Sequence, residues 1–287
     1  MLNSPGCIPC IVQQSYSLSK LLGIKDTETQ NKIIFETMEL ILKNKNIASA
    51  PHFSLIMLDV MKKYLDVNSI FTAIKEKNRI QAEKYISYLS VLVDGTEDKL
   101  EMALRISIMG NTIDMAANPN FDLEKEINFI TSNNLNLSSY QRFKEDIKNA
   151  KQVLFIADNY EEAIFDKFLI KQLLPKEIIF AVRSNQVYND ITLEDARRLE
   201  IDKICRVIES GSKIAGTAIE QCTDEFLRIY NSCDMIIAKG QGNYETLLNE
   251  KKDIYFLFKV KCQTIADICK NKVGTSVLHF HSKKDKN

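Results

Sequence analysis

The sequence predicts an α/β protein in which a multihelical N-terminal region precedes a Rossmann-like, three-layer α/β/α half with a mainly parallel sheet. Two observations lead to this fold class. Residues 11–149 place apolar side chains at three- and four-residue spacing among charged ones, which is typical of amphipathic helices. From Lys151 onward, short apolar runs alternate with helical patterns, which is typical of a parallel sheet with crossover helices. We therefore divide the chain into a helical part, 1–150, and a Rossmann-like part, 151–287.

The N-terminal part is predicted to be a series of helices with one clear break. Asn118-Pro119-Asn120 forms that break, because proline cannot continue a helix and asparagine favours turns. The predicted helices cover residues 32–43, 54–63, 70–92, 97–117, 123–133 and 138–149.

The C-terminal part is predicted to alternate buried strands with helices, which places helices on both faces of the sheet with right-handed crossovers. The predicted strands are the apolar runs at 153–157, 178–182, 204–208, 235–238 and 254–258. The predicted helices cover 161–171, 193–199, 217–230, 244–249 and 264–270.

Composition excludes several classes of function. Lys and Arg total 38, as do Asp and Glu, so the net charge is zero and gives no overall attraction to nucleic acid or anionic membranes. The sequence contains neither an apolar run of membrane length nor a visible secretory signal. Seven cysteines, an odd number, do not suggest a disulfide framework. We expect a cytoplasmic protein with reduced thiols, and the oligomeric state stays open.

Oxygen-bearing side chains follow two of the predicted strands. Asp158-Asn159 comes directly after the first run, with Glu162 one helical turn later, and Asn189-Asp190 follows the second. The carboxyl ends of parallel strands lie on one edge of the sheet, where open α/β proteins bind ligands. Carboxylate and amide oxygens suit Mg²⁺ or Mn²⁺. Solvated polar loops are the simpler alternative, so this pattern alone only favours a metal site.

A lysine- and glycine-containing segment follows the fourth strand. Lys239-Gly240-Gln241-Gly242-Asn243 precedes a predicted helix, and glycines let backbone N–H groups approach an anion at a helix N-terminus. Lys259 follows the fifth strand as a second cation. Neither a P-loop nor a dinucleotide fingerprint is present. Carboxylates for a metal and an anion-binding segment on one edge predict phosphoryl chemistry.

Five motifs carry a resemblance to a known family. They are Cys7-Ile8-Pro9-Cys10, Gly110-Asn111-Thr112-Ile113-Asp114, Asp158-Asn159-Tyr160-Glu161-Glu162, Asn189-Asp190-Ile191-Thr192 and Lys239-Gly240-Gln241-Gly242-Asn243-Tyr244-Glu245. In this order they resemble the damage-control phosphatase family, formerly a domain family of unknown function. The Cys-x-Pro-Cys start points to its compact prokaryotic branch. The resemblance runs from Cys7 to about Val277.

The resemblance implies a metal-dependent phosphatase that acts on small phosphorylated metabolites, such as sugar phosphates or damaged cofactor forms, with Mg, Mn, Co or Ni as its divalent metal. It maps the metal ligands onto Asp158, Asn159 and Asp190, which with Lys239 form the predicted catalytic set. The implied substrate- and phosphate-binding residues are Glu162, Asn111, Asp114, Gly240, Gln241, Gly242, Asn243 and Lys259. Lys261 is close enough to Lys259 in sequence to take its role.

One residue departs from the family pattern. In this family the motif after the first strand usually reads Asp-Asn-x-Gly-Glu. This chain has Glu161 at the position of the glycine. Glutamate has less backbone freedom than glycine and adds negative charge beside the predicted ligands. We therefore expect Glu161 to affect catalytic efficiency or substrate choice.

The residues leave the nucleophile and two other functions open. Water is the simpler nucleophile, and direct attack by Asp158 is the alternative. A small-molecule or phospho-ligand binding protein with weak or no catalysis is the rival function, supported by Glu161 alone. A methyltransferase would need a glycine-rich loop after the first strand, which Asp158-Asn159 replaces.

The N-terminal Cys7-x-x-Cys10 motif allows three interpretations. Its spacing is half of a zinc site, for which His279 and His281 could supply the remainder if the chain ends meet. It could also be a redox pair. A packed N-terminal turn with free thiols is the simplest interpretation.

Overall fold

The structure, a computed structural model, describes residues 4–45, 49–110, 128 and 135–284. The helices before the sheet are α1 (Cys7–Leu21), α2 (Thr27–Lys43), α3 (Phe53–Met61), α4 (Val67–Glu83), α5 (Ile86–Asp94), α6 (Lys99–Gly110) and α7 (Tyr140–Asn149). The remaining elements are β1 (Gln152–Ile156), α8 (Glu162–Leu173), β2 (Glu177–Val182), α9 (Leu193–Arg198), β3 (Arg206–Glu209), α10 (Asp224–Ser232), β4 (Met235–Lys239), α11 (Gly240–Leu247), β5 (Ile254–Lys259), α12 (Gln263–Cys269) and β6 (Ser276–His281). The helix prediction at 123–133 lies outside the described residues except Asn128.

The sheet has the order β3-β2-β1-β4-β5-β6, with β1 to β5 parallel and β6 antiparallel to β5. This is the strand order of a Rossmann-like fold, which confirms the predicted α/β class with a mainly parallel sheet. The order reverses between β1 and β4, so the crossovers leave these two strands in opposite directions. A crevice therefore opens at their carboxyl ends, which are Ile156 and Lys239.

Two hydrophobic layers cover the sheet. Val153 and Phe155 of β1 face one buried cluster, which contains side chains of α6, α7 and α8. Leu154 and Ile156 face the other, which contains side chains of α10, α11 and α12. Alternation along a strand buried on both faces explains why the predicted strands appear as continuous apolar runs. The first layer joins residues from both sides of position 150, and the division there stays a prediction.

The first four helices pack over the loop that follows β2. A third buried cluster joins Ile33, Met61 and Phe71 of these helices to Val187, three residues before Asp190. The N-terminal helices thereby form one wall of the crevice at the sheet edge.

Several element predictions differ from the structure. The stretch 70–92 is two helices, α4 and α5, and contains no proline or glycine that would mark the break. The predicted helix at 217–230 begins only at α10, where the Thr223 side chain accepts a hydrogen bond from the backbone N–H of Phe226. Strand β6 was not predicted, because its alternation of apolar residues with His279 and His281 resembles an exposed terminus.

Candidate functional site

A cavity of about 720 Å³ lies at the carboxyl edge of the sheet, where β1 and β4 diverge. Its sheet side is lined by polar residues, namely Asp158, Asn159, Asn189, Asp190, Gln241, Glu245 and Lys261, together with the backbone of Gly242. Its opposite side is formed by α1, α3 and α4. The predicted metal ligands therefore open into one cavity, together with two residues of the predicted anion-binding segment.

Backbone pairing brings Asp158, Asn159 and Asp190 together. The N–H of Ile191 donates to the carbonyl oxygen of Asp158 at 2.9 Å, and Asn159 and Asp190 form an isolated antiparallel bridge. The N–H of Tyr160 donates to the carbonyl oxygen of Asn189 at 2.8 Å. The segments after β1 and β2 thus hold each other, and both carboxylates are buried.

Arg183 supplies a buried positive charge between the two carboxylates. Its Nε donates to Oδ2 of Asp190 at 2.7 Å, and its guanidinium lies 3.6 Å from Oδ1 of Asp158. The guanidinium also contacts Oδ1 of Asn243 at 3.3 Å, and the residue is only 1% exposed. Sequence reasoning did not include Arg183 in the site. Its position directly after a strand, seven residues before Asp190, was the available signal.

Without a bound cation, the negative charges of Asp158 and Asp190 are unfavourable in the folded protein. Burial raises the pKa of Asp158 well above its ordinary value, and the charges of Asp190 and Glu162 raise it further. Burial also raises the pKa of Asp190, although Arg183 opposes this. A divalent cation beside both groups would relieve this cost.

The donor set fits a divalent metal ion. Asn159 donates its side-chain N–H to Oε1 of Glu162 at 2.8 Å, which leaves the amide oxygen available as a ligand. Two carboxylates and one amide are hard oxygen donors of the kind Mg²⁺ and Mn²⁺ prefer. Among the described residues no group of three His, Cys, Asp or Glu side chains could hold a metal, so Asn159 is needed to complete the set.

The structure places Lys239 differently from the sequence prediction. Its Nζ donates to Oδ1 of Asp166 at 2.6 Å and to the carbonyl oxygen of Ser107 at 2.7 Å, and lies 3.2 Å from Oε2 of Glu162. With 0% exposure it lies under the cavity, among acidic groups of α8. Lys239 therefore reaches the site through Glu162, which holds Asn159, and does not face a phosphate.

The structure also places Asn243 and Lys259 differently from the predicted phosphate-binding positions. Asn243 is buried and donates to the carbonyl oxygens of Ala157 and Lys239, so it joins β4 to β1 instead of facing the cavity. Lys261 lines the cavity, whereas Lys259 is a half-buried residue at the end of β5. Of these two lysines, Lys261 is therefore the one that lines the cavity.

The predicted anion-binding segment is the first turn of α11. The helix begins at Gly240 instead of 244, so Gly240, Gln241 and Gly242 lie at its N-terminus beside Asp158. Gly240 has a φ of +79°, and a Cβ there would lie 1.8 Å from Oδ2 of Asp158. A Cβ at Gly242 would lie 2.1 Å from the carbonyl oxygen of Ala215. Both glycines therefore permit close approaches that a side chain would block.

Replacing Gly240 by alanine is expected to destabilise the fold and displace the Asp158 carboxylate. Gly274 is the matched control, because it has a similar φ of +89° but no heavy atom within 4 Å of its Cβ position. Gly274→Ala should cost only the left-handed conformation, on the order of 1–2 kcal/mol. Gly240→Ala should lower the free energy of unfolding by about 1–3 kcal/mol more than the control does. It should also lower kcat/KM for the expected phosphate hydrolysis about 10²-fold. Chemical denaturation and steady-state assays of both variants measure this, and equal losses would contradict the close contact.

The carboxylate of Glu161 is held by hydrogen bonds within the protein. It is buried and accepts hydrogen bonds from Asn189 at 2.7 Å and from Asn78 of α4 at 3.2 Å. The residue's φ of −65° lies in the right-handed region, so the position needs no glycine. The expected strain is therefore absent, and Glu161 connects α4 to the loop that carries Asp190.

The remaining predicted residues have simple outcomes. Asn111 and Asp114 lie outside the described residues. Cys7 and Cys10 lie in α1 and form no disulfide bond, and both interact electrostatically with Cys262. The two histidines lie in β6, where the ring of His279 packs edge-on against Tyr244 at 5.3 Å. Within the described part of the chain the zinc interpretation therefore has no support.

Two cavity residues were missed or undervalued by sequence reasoning. Tyr188 has a φ of +50°, rare for an aromatic residue, and packs its ring 5.8 Å from that of Phe71. Glu245 accepts a hydrogen bond from Gln241 at 2.8 Å, and burial raises its pKa to about 7. Glu245 ends the last of the five family motifs, and it lies one turn after Gln241 on the same face of α11.

Comparisons with known proteins agree with the resemblance seen in the sequence. The sequence model described as "Damage-control phosphatase ARMT1-like domain" matches residues 4–277. An uncharacterized protein of Methanocaldococcus jannaschii is 33% identical over 287 residues, covering 96% of this chain and 94% of that protein. A protein of Pyrococcus horikoshii named damage-control phosphatase is 30% identical over 269 residues, 91% of each chain. A damage-control phosphatase of Archaeoglobus fulgidus is 26% identical over 274 residues, 92% of this chain and 93% of that protein.

A solved structure is also similar. The crystal structure of a DUF89 family protein from Pyrococcus horikoshii matches with a TM-score of 0.83 and 29% identity. The match covers 97% of this chain and 99% of that chain. The similarity therefore includes both the helical part and the sheet.

Proposed function

The chain belongs to the damage-control phosphatase family with an ARMT1-like domain, and we propose that it is a divalent-metal-dependent phosphatase that hydrolyses small phosphorylated metabolites. The observation that carries the proposal is the pair of buried carboxylates, Asp158 and Asp190, beside the N-terminus of α11 in one cavity. The pair supplies a site for a cation, and the helix end favours an anion.

The metal ion would be held by Asp158, Asn159 and Asp190. When bound, it would neutralise charge on the phosphoryl group and lower the pKa of a nucleophilic water. Arg183 and Glu162 hold the donors in place, since Arg183 fixes Asp190 and Glu162 fixes the Asn159 amide. The proposal covers Mg, Mn, Co and Ni, because oxygen donors accept all four.

The phosphate oxygens would be held by Lys261 and by the N–H groups of the first turn of α11. Lys261 is exposed within the cavity, and its own backbone N–H donates to Oε1 of Gln241 at 2.7 Å. This bond fixes the start of α12 against α11 and places the cation beside the helix N-terminus. Donors fixed in advance stabilise charge that develops in a transition state.

Water is the nucleophile that fits the site better. The carboxylate of Asp158 packs against Gly240 and lies near Arg183, so its oxygens are already held by the protein. Direct attack by Asp158 would require it to leave these contacts. We therefore propose hydrolysis by water, with Asp158 as a ligand.

Glu245 is expected to protonate the leaving oxygen of substrates with poor leaving groups. Its pKa is raised to about 7, mainly by burial, so it carries a proton below that pH. With an alkyl phosphate, kcat should fall as the pH rises through about 7. Glu245→Gln should remove this dependence of kcat on pH and lower kcat about 10²-fold. With p-nitrophenyl phosphate, whose leaving group needs no proton, the loss should be much smaller. Equal losses on both substrates would rule out proton donation.

The rival functions have less support than hydrolysis. The binding-protein alternative depended on Glu161, whose carboxylate accepts hydrogen bonds from Asn189 and Asn78 within the protein. A methyltransferase would need a glycine-rich turn after β1, where Asp158-Asn159 stands.

None of the described helices is long and apolar enough to cross a membrane. The cytoplasmic location stays a prediction.

The direct test is hydrolysis of p-nitrophenyl phosphate with Mg²⁺, Mn²⁺, Co²⁺ or Ni²⁺, with and without a chelator. The proposal expects release of p-nitrophenol that depends on the metal and stops with the chelator. Absence of release with every metal, from protein shown to be folded, would refute the phosphatase assignment.

A further inference from the structure

The wall of the cavity that faces the sheet edge is largely apolar. Leu18 and Leu21 of α1 and Ile74 of α4 line it, with Met57 and Phe71 behind them. Met57 and Phe71 are buried, but Leu21 remains 37% exposed, and Leu18 and Ile74 are half-buried. Partly exposed aliphatic side chains inside a cavity gain free energy when an apolar ligand covers them.

Some polar groups on the same wall have partners within the protein. The hydroxyl of Ser54 donates to the carbonyl oxygen of Pro51 at 2.6 Å and accepts from the N–H of Ala215 at 3.0 Å. The amide of Gln14 donates to Sγ of Cys10 at 3.4 Å. Gln14, Ser17 and Lys20 are exposed polar residues of the same wall, so its apolar part is the patch formed by Leu18, Leu21 and Ile74.

The cavity is also larger than a phosphate group requires. Its volume of about 720 Å³ is in the range of pockets that enclose ligands of drug size. The polar end is occupied by the carboxylates, the N-terminus of α11 and Lys261. The remaining space therefore lies against the aliphatic wall.

We propose that the substrate is a phosphate monoester whose alcohol part carries an aliphatic segment, and that Leu18, Leu21 and Ile74 bind this segment while the phosphate lies at the sheet edge. The inference rests on the proposed phosphatase function and narrows its substrates from phosphorylated metabolites in general to amphipathic ones. A sugar phosphate, which has no aliphatic segment to cover this patch, is then the poorer substrate.

A series of straight-chain alkyl phosphates, from ethyl to octyl, tests the proposal. From butyl onward the leaving groups have nearly equal reactivity, so a trend in kcat/KM reports binding to the wall. Each buried methylene should raise kcat/KM up to about fourfold, until the wall is covered. Glucose 6-phosphate and glycerol phosphate should lie below butyl phosphate.

Substitutions in the wall test whether its residues cause the dependence of kcat/KM on chain length. Leu21→Gln should lower the ratio of kcat/KM for octyl over ethyl phosphate by about tenfold. Leu42→Gln is the matched control, because Leu42 is 64% exposed on α2 and does not line the cavity. This variant should keep the wild-type ratio. Equal ratios in both variants would overturn the assignment of the wall.

Binding of alkyl phosphonates, measured by calorimetry with Mn²⁺ present, separates the two proposals. These compounds are not hydrolysed, so their affinity does not depend on turnover. Affinity that rises with chain length supports the aliphatic site even if no phosphate ester is hydrolysed, in which case only the phosphatase proposal fails. Hydrolysis of many phosphates without any dependence on chain length, in rate or in binding, overturns the aliphatic site and leaves the phosphatase proposal intact.

Discussion

Replacing Asp158 by asparagine is expected to lower the metal-dependent kcat/KM by about 10³-fold or more while the protein stays folded. The change keeps the shape of the side chain but removes the negative charge that, with Asp190, would hold the metal ion. The steady-state rate with p-nitrophenyl phosphate and saturating Mn²⁺ measures the loss. Asp202→Asn, at an exposed carboxylate away from the cavity, should keep full activity.

The same substitution is expected to stabilise the metal-free protein. Burial raises the pKa of Asp158 well above its unfolded value, so the folded state binds a proton more tightly than the unfolded state does. The contribution of Asp158 to stability is then present at low pH and is lost as pH rises through its folded pKa. At neutral pH the neutral asparagine avoids this loss and should raise the melting temperature of the metal-free protein.

Metal addition should reverse the order of stability. Mn²⁺ should raise the melting temperature of the wild-type protein more than that of Asp158→Asn, because a ligand stabilises the state it binds. Full turnover by Asp158→Asn, or equal stabilisation of both proteins by Mn²⁺, would contradict the metal assignment. The two readouts thus separate loss of the metal site from loss of the fold.

The sheet could be predicted from the sequence because β1, β2, β4 and β5 are almost completely buried, although the edge strand β3 is only partly buried. Such strands appear as short apolar runs, and the five parallel strands all lie near the predicted positions. The edge strand β6 lacks this signature, because it alternates apolar residues with histidines. Strand-end chemistry also pointed to one cavity, since parallel strands bring Asp158 and Asp190 to the same edge.

The orientation of individual side chains could not be predicted in the same way. Lys239 and Lys261 are both cations after strands, and only tertiary packing distinguishes them. Lys239 contacts Ser107, 132 residues earlier in the chain, and Asp166, 73 residues earlier. Glu161 likewise binds Asn78, 83 residues away. A motif gives the kind of residue at a position, whereas these partners come from α4, α6 and α8.

Replacing Lys239 by methionine is expected to destabilise the fold by about 3–5 kcal/mol at pH 8. Lys239 forms ion pairs with the buried carboxylates of Asp166 and Glu162. Its replacement would remove this positive charge from beside both carboxylates. A lysine that contacted only phosphate would give the opposite result, because its loss would weaken phosphate binding and leave stability unchanged. Urea denaturation of the metal-free protein measures the difference.

A second substitution and a pH series identify the cause of that loss. Asp166→Asn in the Lys239→Met background should recover part of the stability, because it removes one of the two buried negative charges. Burial raises the pKa of Asp166 to about 6 although Lys239 opposes this, so without Lys239 the pKa should rise further. A carboxyl group with a raised folded pKa destabilises the protein as pH rises through that pKa, so the deficit of Lys239→Met should shrink as pH falls from 8 towards 5. A deficit that is independent of pH and of Asp166 would mean that lost packing, rather than uncompensated charge, makes Lys239 necessary.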